Sequence, residues 1–220
     1  RASNRRSVAP VFVAIVVTAF YSASPLAADK YDRKKICGDS NLIECDLLIE
    51  KAVSESIPGA IYRTGRVIKI RARNGKTIER EGTSKEAEGE GSRDIWACDY
   101  LATYGYLRLC YRLWERAQTE YISLETGDSV LIKGFPRYSP SGQQVLFIDH
   151  QVNSVLGIEI WRFERNRITR EFQYSPSADF FAETGRWENE NEISLVSQFS
   201  VNVIRHQIVR RKEEWSIQGP

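Results

Sequence analysis

The sequence is poor in the residues from which metal and redox sites are built. It has two histidines, His150 and His206, and four cysteines with no Cys-x-x-Cys pair among them. A zinc site needs three or four ligands, so the histidines supply one only if the fold brings Asp149 to both of them. We therefore predict no metal ligand and no cofactor.

Catalytic signatures are also missing. The Gly-x-Ser-x-Gly turn that exposes the nucleophile of many hydrolases does not occur. Ser139 and Ser141 precede Asp149 and His150, but they lie in a proline-containing turn typical of strand connections. Glycoside hydrolysis needs two placed carboxylates, and no spacing singles out a pair among the acids Glu159, Glu164, Glu171 and Asp179. No catalytic residue is predicted.

The N-terminal apolar run is too short for a membrane helix. Val8–Phe20 follows three arginines and precedes small residues that end at Ala28. Crossing the hydrocarbon core takes about 20 apolar residues, so the pattern favours a cleavable signal peptide at 1–28 over an anchor. This predicts a periplasmic or secreted protein that touches a membrane only if the leader stays uncleaved.

Excess charge of one sign is absent from the remainder. The whole chain carries a net charge of +2, and removing the three arginines of 1–28 leaves −1. Nucleic-acid binding domains are strongly basic, so we predict no nucleic-acid partner.

The four cysteines all follow the predicted leader, which favours disulfides formed in an oxidising compartment. Four cysteines allow three pairings. We favour the local one, which joins Cys37 to Cys45 and Cys98 to Cys110.

A helix is predicted over about 42–55, where apolar residues recur at helical spacing. Its N-cap is Ser40 or Asn41, and Pro58-Gly59 ends it. The preceding residues 29–41 are polar and predict a loop. The apolar positions of the helix are Leu42, Ile43, Leu47, Leu48 and Val53.

After Gly59 the period changes to two, which is typical of strands. Arg66–Arg73 alternates, and Asn74-Gly75 predicts a hairpin with a type I′ turn. The charged, glycine-rich stretch 79–93 predicts a long exposed loop or a partly disordered insert. Val145–Ile148 is apolar on consecutive residues, which predicts a strand covered on both faces. The further strands are predicted near 95–101, 104–114, 119–124, 128–133, 143–150, 156–163, 166–173, 191–197 and 200–209.

These elements predict a mainly β protein with one N-terminal amphipathic helix. Its antiparallel sheets form either a sandwich or an incomplete propeller-like stack. The predicted organisation is a signal peptide at 1–28, a loop and helix at 29–58, and a β-rich domain at 59–220.

One short sequence motif is repeated within the chain. Arg137–Ser141 (Arg-Tyr-Ser-Pro-Ser) returns as Gln173–Ser177 (Gln-Tyr-Ser-Pro-Ser), 36 residues later. With the preceding segment Tyr121–Gly127, it resembles repeats of Tol-type β-propellers, in which a Ser-Pro-Asp-Gly turn precedes a buried strand. Here Ser141 stands for the Asp, and Ala178 stands for the Gly of the second copy. The resemblance covers about 120–195, and its two blade-like units cannot close a ring of four to eight blades.

The overall layout is similar to small secreted bacterial proteins of unknown function, and this resemblance implies no established activity. The segments that carry it are Arg73–Lys76, Tyr104–Tyr106, the Ser-Pro turn and, near the end, Trp187, Glu192 and Ile193.

Aromatic residues and arginines crowd one stretch of the β-rich domain. Rigid aromatics and arginine dominate binding hot spots, although tyrosine and tryptophan also favour half-buried strands. We predict a non-catalytic binding or interaction module whose partner is another envelope protein or a glycan. The alternative is a periplasmic hydrolase with a carboxylate-based site. The predicted binding residues are Trp96, Tyr100, Tyr104, Tyr106, Arg108, Arg112 and Trp114.

Overall fold

The computed structural model describes residues 33–83, 93–113, 116–151, 154–176, 184–199 and 202–219. The predicted signal peptide and most of the predicted loop at 79–93 lie outside these ranges. Within them, the ends of that loop belong to strands, since Glu81 ends one strand and Arg93 begins the next. None of the described helices is both long and apolar enough to span a membrane.

Two helices precede the strands. α1 spans Arg33–Cys37 and α2 spans Leu42–Ser56. The predicted helix is confirmed as α2, and the Asn41 side chain caps it by accepting the backbone N–H groups of Ile43 and Glu44 at 3.1 and 3.0 Å. The prediction of a loop over 29–41 is wrong at α1, a single short turn of helix that polar composition does not reveal.

The strands fill most of the remaining described chain. They are β1 (Ile61–Thr64), β2 (Val67–Arg71), β3 (Thr77–Glu81), β4 (Arg93–Leu101), β5 (Tyr106–Leu113), β6 (Ala117–Ser123), β7 (Ser129–Lys133), β8 (Phe135–Tyr138), β9 (Gln144–Gln151), β10 (Ser154–Glu164), β11 (Arg167–Tyr174), β12 (Thr184–Asn189), β13 (Glu192–Phe199), β14 (Asn202–Arg211) and β15 (Glu214–Gln218).

The strands form four antiparallel sheets in chain order, which confirms the predicted fold class. Sheet 1 is β1–β3, sheet 2 is β4–β7, sheet 3 is β8–β11, and sheet 4 is β12–β15. Each of the last three is an up-and-down meander of four strands, the composition of one propeller blade. The described residues thus form three such units, where the sequence repeat indicates two.

The sheets pack face to face, with apolar cores between them. Sheet 3 is covered on both sides: Val145 and Phe147 pack toward sheet 2, while Leu146 and Ile148 pack toward sheet 4. All four side chains are at most 4% exposed, so the prediction for this strand is confirmed.

The outer faces at the two ends of the stack are polar. Across sheet 4, Arg186, Ser194 and Gln207 lie side by side on the outer face. Across sheet 1, the Lys69 ammonium pairs with the Glu79 carboxylate at 2.7 Å. Neither end therefore presents an apolar face for a further sheet among the described residues.

The β2–β3 hairpin is confirmed, but its turn differs from the prediction. Of the two central residues only Gly75 has a positive φ, of 88°. A type I′ turn needs positive φ at both. The backbone instead closes through Gly75 N–H to Ala72 O at 3.0 Å and Ala72 N–H to Lys76 O at 2.9 Å.

Four strands were not predicted, namely β1, β8, β12 and β15. β8 contains Pro136. Because proline has no N–H to donate to a neighbouring strand, its presence argues against predicting a strand from the sequence. It is accommodated because β8 is an edge strand that pairs only with β9. The other three are short or rich in charged residues.

Candidate functional site

The residues predicted to form one binding face lie in separate places. Trp96 and Arg112 meet beside α2, where the Arg112 guanidinium carbon lies 4.9 Å from the Trp96 ring centroid. Tyr106 and Arg108 project from the same face of β5 as Arg112, but they lie between sheets 2 and 3. Tyr106 is only 5% exposed there. Trp114 lies outside the described residues. Binding by any of them stays a prediction.

Tyr100 and Tyr104 are at the opposite end of the strands. They line a polar cavity of about 300 Å³ together with Arg73, Glu125 and Arg165. The β2–β3, β4–β5, β6–β7 and β10–β11 turns meet here, so this cavity is separate from Trp96 and Arg112. The tyrosine-rich stretch consequently divides between the two ends of sheet 2.

Arg108 belongs to an internal network. Its Nη1 donates to the Tyr138 hydroxyl at 3.2 Å, and its Nη2 lies 3.8 Å from the Asp99 carboxylate. The Tyr138 hydroxyl also bonds the Tyr121 hydroxyl at 3.0 Å. Burial raises the pKa of Tyr121 well above its ordinary value and also raises that of Tyr138, so both hydroxyls stay protonated. The network joins sheets 2 and 3 and offers no surface to a partner.

The other boundaries between sheets carry the same kind of contact. The Glu120 carboxylate of sheet 2 accepts a hydrogen bond from the Arg80 guanidinium of sheet 1 at 2.5 Å and another from the Tyr111 hydroxyl. Burial by itself raises the pKa of Glu120, but hydrogen bonds from Arg80 and Tyr111 outweigh it and hold that pKa below its ordinary value. Between sheets 3 and 4, Glu171 lies 3.9 Å from Arg210. The sequence contains no signal for these pairs, because their members are far apart in the chain.

Most of the apolar residues that predict α2 point to solvent. Their exposed fractions are 57% for Leu42, 54% for Ile43, 49% for Leu47 and 39% for Leu48. Only Val53 of the predicted set is buried. The face that packs on the protein is made instead of Cys45, Asp46, Ile49, Glu50 and Val53.

Two carboxylates explain the orientation of α2. Glu50 accepts the backbone N–H of Ala97 at 3.0 Å and is held by a bidentate contact with Arg63. Arg63 also donates to the carbonyl of Ile95 at 2.7 Å. Both contacts satisfy the free edge of β4, which would otherwise expose unpaired backbone groups. Asp46 pairs with Arg112 of β5. Burying the leucines instead would remove these partners from the edge of β4 and would separate Arg112 from Asp46.

The orientation leaves an open groove between α2 and the ends of β4 and β5, which we call the α2 groove. Its volume is about 260 Å³, and Ile43 and Leu47 form one wall. Trp96 and Arg112 form the other. The Trp96 indole nitrogen is buried and has no hydrogen-bond partner among the described residues. The apolar side chains of Ile43 and Leu47 thus lie opposite the Trp96 ring, which contacts the Arg112 guanidinium.

Arginines dominate the charge of the α2 groove. Two of the four, Arg63 and Arg112, are engaged by carboxylates; Arg112 lies 3.4 Å from Asp94 in addition to its contact with Asp46. The others are Arg66 and Arg93, at the exposed rim. The rim therefore favours a ligand with negative charge.

The serines singled out in the sequence close a turn. The Ser139 hydroxyl accepts the backbone N–H of Gln144 at 3.2 Å, and the Ser141 hydroxyl donates to Glu190 at 2.9 Å. In the part of the chain that the structure describes, no group of three side chains able to bind a metal is found. The side chain of His150 lies outside the described residues.

Both favoured disulfides are confirmed. Cys37–Cys45 joins α1 to α2, and Cys98–Cys110 links neighbouring strands β4 and β5 beside Trp96. One bond therefore ties α2 to the preceding helix, and the other lies next to Trp96, which lines the α2 groove.

Comparison with known proteins assigns no family. No family model matches the chain, and no curated protein matches it. A 6-phosphogluconolactonase-like protein from Bacteroides uniformis superposes with a TM-score of 0.38 at 9% identity, over 72% of this chain and 55% of that one. Hsv2 from Kluyvelomyces marxianus superposes with a TM-score of 0.30 at 10% identity, over 72% and 68%. The chain spans about half of the first protein, and similarity this low carries no argument about function.

Proposed function

We propose that this protein is an exported, non-catalytic binding module whose α2 groove holds a segment of another envelope protein. Export is supported by the two disulfides, which persist in oxidising compartments. It is supported also by the signal-like sequence at 1–28.

A single observation carries the choice of surface. Ile43 and Leu47 are about half exposed on a helix whose opposite face is anchored by ion pairs. Rotating the helix would bury them but would break those pairs, so the apolar residues stay in water at a cost. Contiguous exposed apolar surface bordered by polar residues marks interaction sites.

The size and charge of the groove define the occupant. At about 260 Å³, the α2 groove has room for one or two side chains of a polypeptide, and its wall of Ile43 and Leu47 favours an apolar one. Because Arg66 and Arg93 stand at the rim, the favoured segment has an aliphatic or aromatic residue flanked by aspartate or glutamate.

A catalytic carboxylate site receives less support. Glu171, one of the acids considered for hydrolysis, is held by Arg162, Gln144 and Trp215. Arg162 and Gln144 belong to sheet 3, as Glu171 does, and Trp215 belongs to sheet 4, so each contact comes from within the protein. Such a carboxylate contributes to packing of the layers and is not placed to act on a substrate.

Selection from a displayed library of random peptides tests the proposal. Peptides enriched on the wild-type protein are expected to combine a large apolar residue with acidic neighbours. The double variant Ile43→Asp/Leu47→Asp should bind them about 30-fold more weakly, the change that corresponds to about 2 kcal/mol.

Leu48→Asp is the matched control, because Leu48 is similarly exposed but does not line the groove. It should bind the selected peptides like wild type. Failure to enrich any peptide, or equal binding by the double variant, would contradict the proposal. Hydrolysis of a peptidoglycan or glycoside panel would contradict its non-catalytic part.

A further inference from the structure

A further cavity lies at the edge of sheet 2 opposite to β4, between the edge strand β7 and the face of sheet 3. Its volume is about 290 Å³, and strands β9, β10 and β11 form its base. We call it the β9–β11 cavity. It shares no lining residue with the α2 groove, so an inference about it stands apart from the proposed function.

Three side chains in this cavity hold one another in place. Glu159 accepts the indole N–H of Trp161 at 2.8 Å and a guanidinium N–H of Arg170 at 3.2 Å. The Arg170 guanidinium carbon also lies 5.7 Å from the centroid of the Trp161 ring. A carboxylate fixed by two donors from its own sheet is preorganised, which lowers the entropy cost of binding a ligand.

Gly157 makes room in this cavity. It pairs with Asp149 across β9 and β10, so the position opposite that carboxylate carries no side chain. A Cβ built on Gly157 meets nothing nearer than the carbonyl oxygen of Tyr174 at 3.9 Å, an ordinary contact, and its φ is not in the left-handed region. Neither packing nor backbone conformation therefore requires glycine here. Its effect is the open space beside Asp149.

The lining charges balance. Lys133 and Arg170 oppose Asp149 and Glu159, so the cavity carries no net charge from its ionisable side chains. It offers hydrogen-bond donors and acceptors together, and the half-exposed indole of Trp161 adds apolar surface. Charged ligands gain little from such a lining. A ligand that is itself neutral, with several hydroxyls on a partly apolar ring, matches it best.

We propose that the β9–β11 cavity binds a neutral saccharide, with Glu159 and Asp149 accepting its hydroxyl hydrogens and Lys133 and Arg170 donating to its oxygens. The Gly157 position provides the volume that the sugar ring occupies.

A glycan array that includes neutral and acidic saccharides tests this inference on the full-length protein. Wild type should bind one or more neutral glycans, and titration calorimetry with the best free oligosaccharide gives its affinity. Gly157→Leu fills the cavity and should abolish this binding. Lys133→Ala removes one exposed donor without touching the core and should weaken binding about tenfold, the loss expected for a hydrogen bond to a charged group.

Glu164→Gln is the control, because Glu164 is exposed at the end of β10 and does not line the cavity. It should bind the same glycan like wild type. Circular dichroism confirms that each variant is folded, and Lys133→Ala keeps the test decisive if Gly157→Leu does not fold. The proposal is overturned if no neutral glycan binds, or if both cavity variants bind like wild type.

Discussion

The α2 groove and the β9–β11 cavity are clefts of similar volume with opposite character. The groove has an aliphatic wall, a stacked Trp96–Arg112 pair and an arginine-rich rim. The cavity has balanced charges, and its Glu159 is held by donors from its own sheet. The difference arises from what forms each wall. A helix docked through carboxylates leaves its leucines outside, whereas strands of one sheet place polar side chains side by side on alternate positions.

The largest expected effect is on the attachment of α2. Glu50→Ala removes the partner of Arg63 and of the Ala97 N–H. Loss of one member of a buried pair costs about 3–5 kcal/mol, and urea unfolding measures it. Glu55→Ala is the control, since Glu55 only pairs with Lys51 at 4.0 Å on the surface and should cost under about 0.5 kcal/mol. Equal costs would show that Glu50 does not anchor the helix.

Loss of a disulfide should have the next largest effect. Replacing Cys37 and Cys45 by serine releases a link across 8 residues, and replacing Cys98 and Cys110 releases one across 12. The chain-entropy model gives about 2–3 kcal/mol for each. The first double variant should also weaken peptide binding at the α2 groove, while leaving glycan binding at the β9–β11 cavity unchanged. Parallel loss of both activities would mean that the two clefts are not independent.

Acid should weaken the contacts between layers. The pKa of Glu120 and that of Glu171 are held below their ordinary value, because hydrogen bonds from arginines outweigh the opposing effect of burial. A depressed carboxyl pKa stabilises the fold above the unfolded value of about 4.3, and this contribution is lost as pH falls through the folded value. Glu120→Gln should therefore show a shallower loss of unfolding free energy below about pH 4.3. Glu214→Gln is the control, because Glu214 is exposed. If the free energy of unfolding of Glu120→Gln fell with pH as steeply as that of wild type, this account would be contradicted.

The smallest expected effect concerns the exposed side of α2. Leu47→Ser should change the free energy of unfolding by less than about 0.5 kcal/mol, because Leu47 is half exposed. Ile49→Ala, two residues away and 3% exposed, should cost about 2–5 kcal/mol. Thermal unfolding of the two variants compares the faces directly. A large cost for Leu47→Ser would place that side chain in the core.

Much of the fold was predictable because its signals are local. Asn41 caps α2, Gly75 turns the β2–β3 hairpin, and the consecutive apolar residues Val145–Ile148 indicate a strand buried on both faces. The short strand β8 was missed because Pro136 looks like a break until its edge position is known. The candidate site is predictable only in part: Trp96 and Arg112 are among the predicted binding residues, whereas Ile43 and Leu47 are predicted only as apolar positions of the helix.

Residues close together in the chain were enough to predict most of the elements, the local disulfides and the mainly β class. Tertiary structure decided which side of α2 faces the protein. Asp46 and Glu50 find Arg112 and Arg63 only when β1, β4 and β5 are assembled beside the helix. Periodicity ranks leucine above aspartate for burial, but it contains no information about a distant arginine or an unpaired strand edge. Those two partners set the orientation of the helix and left its leucines exposed.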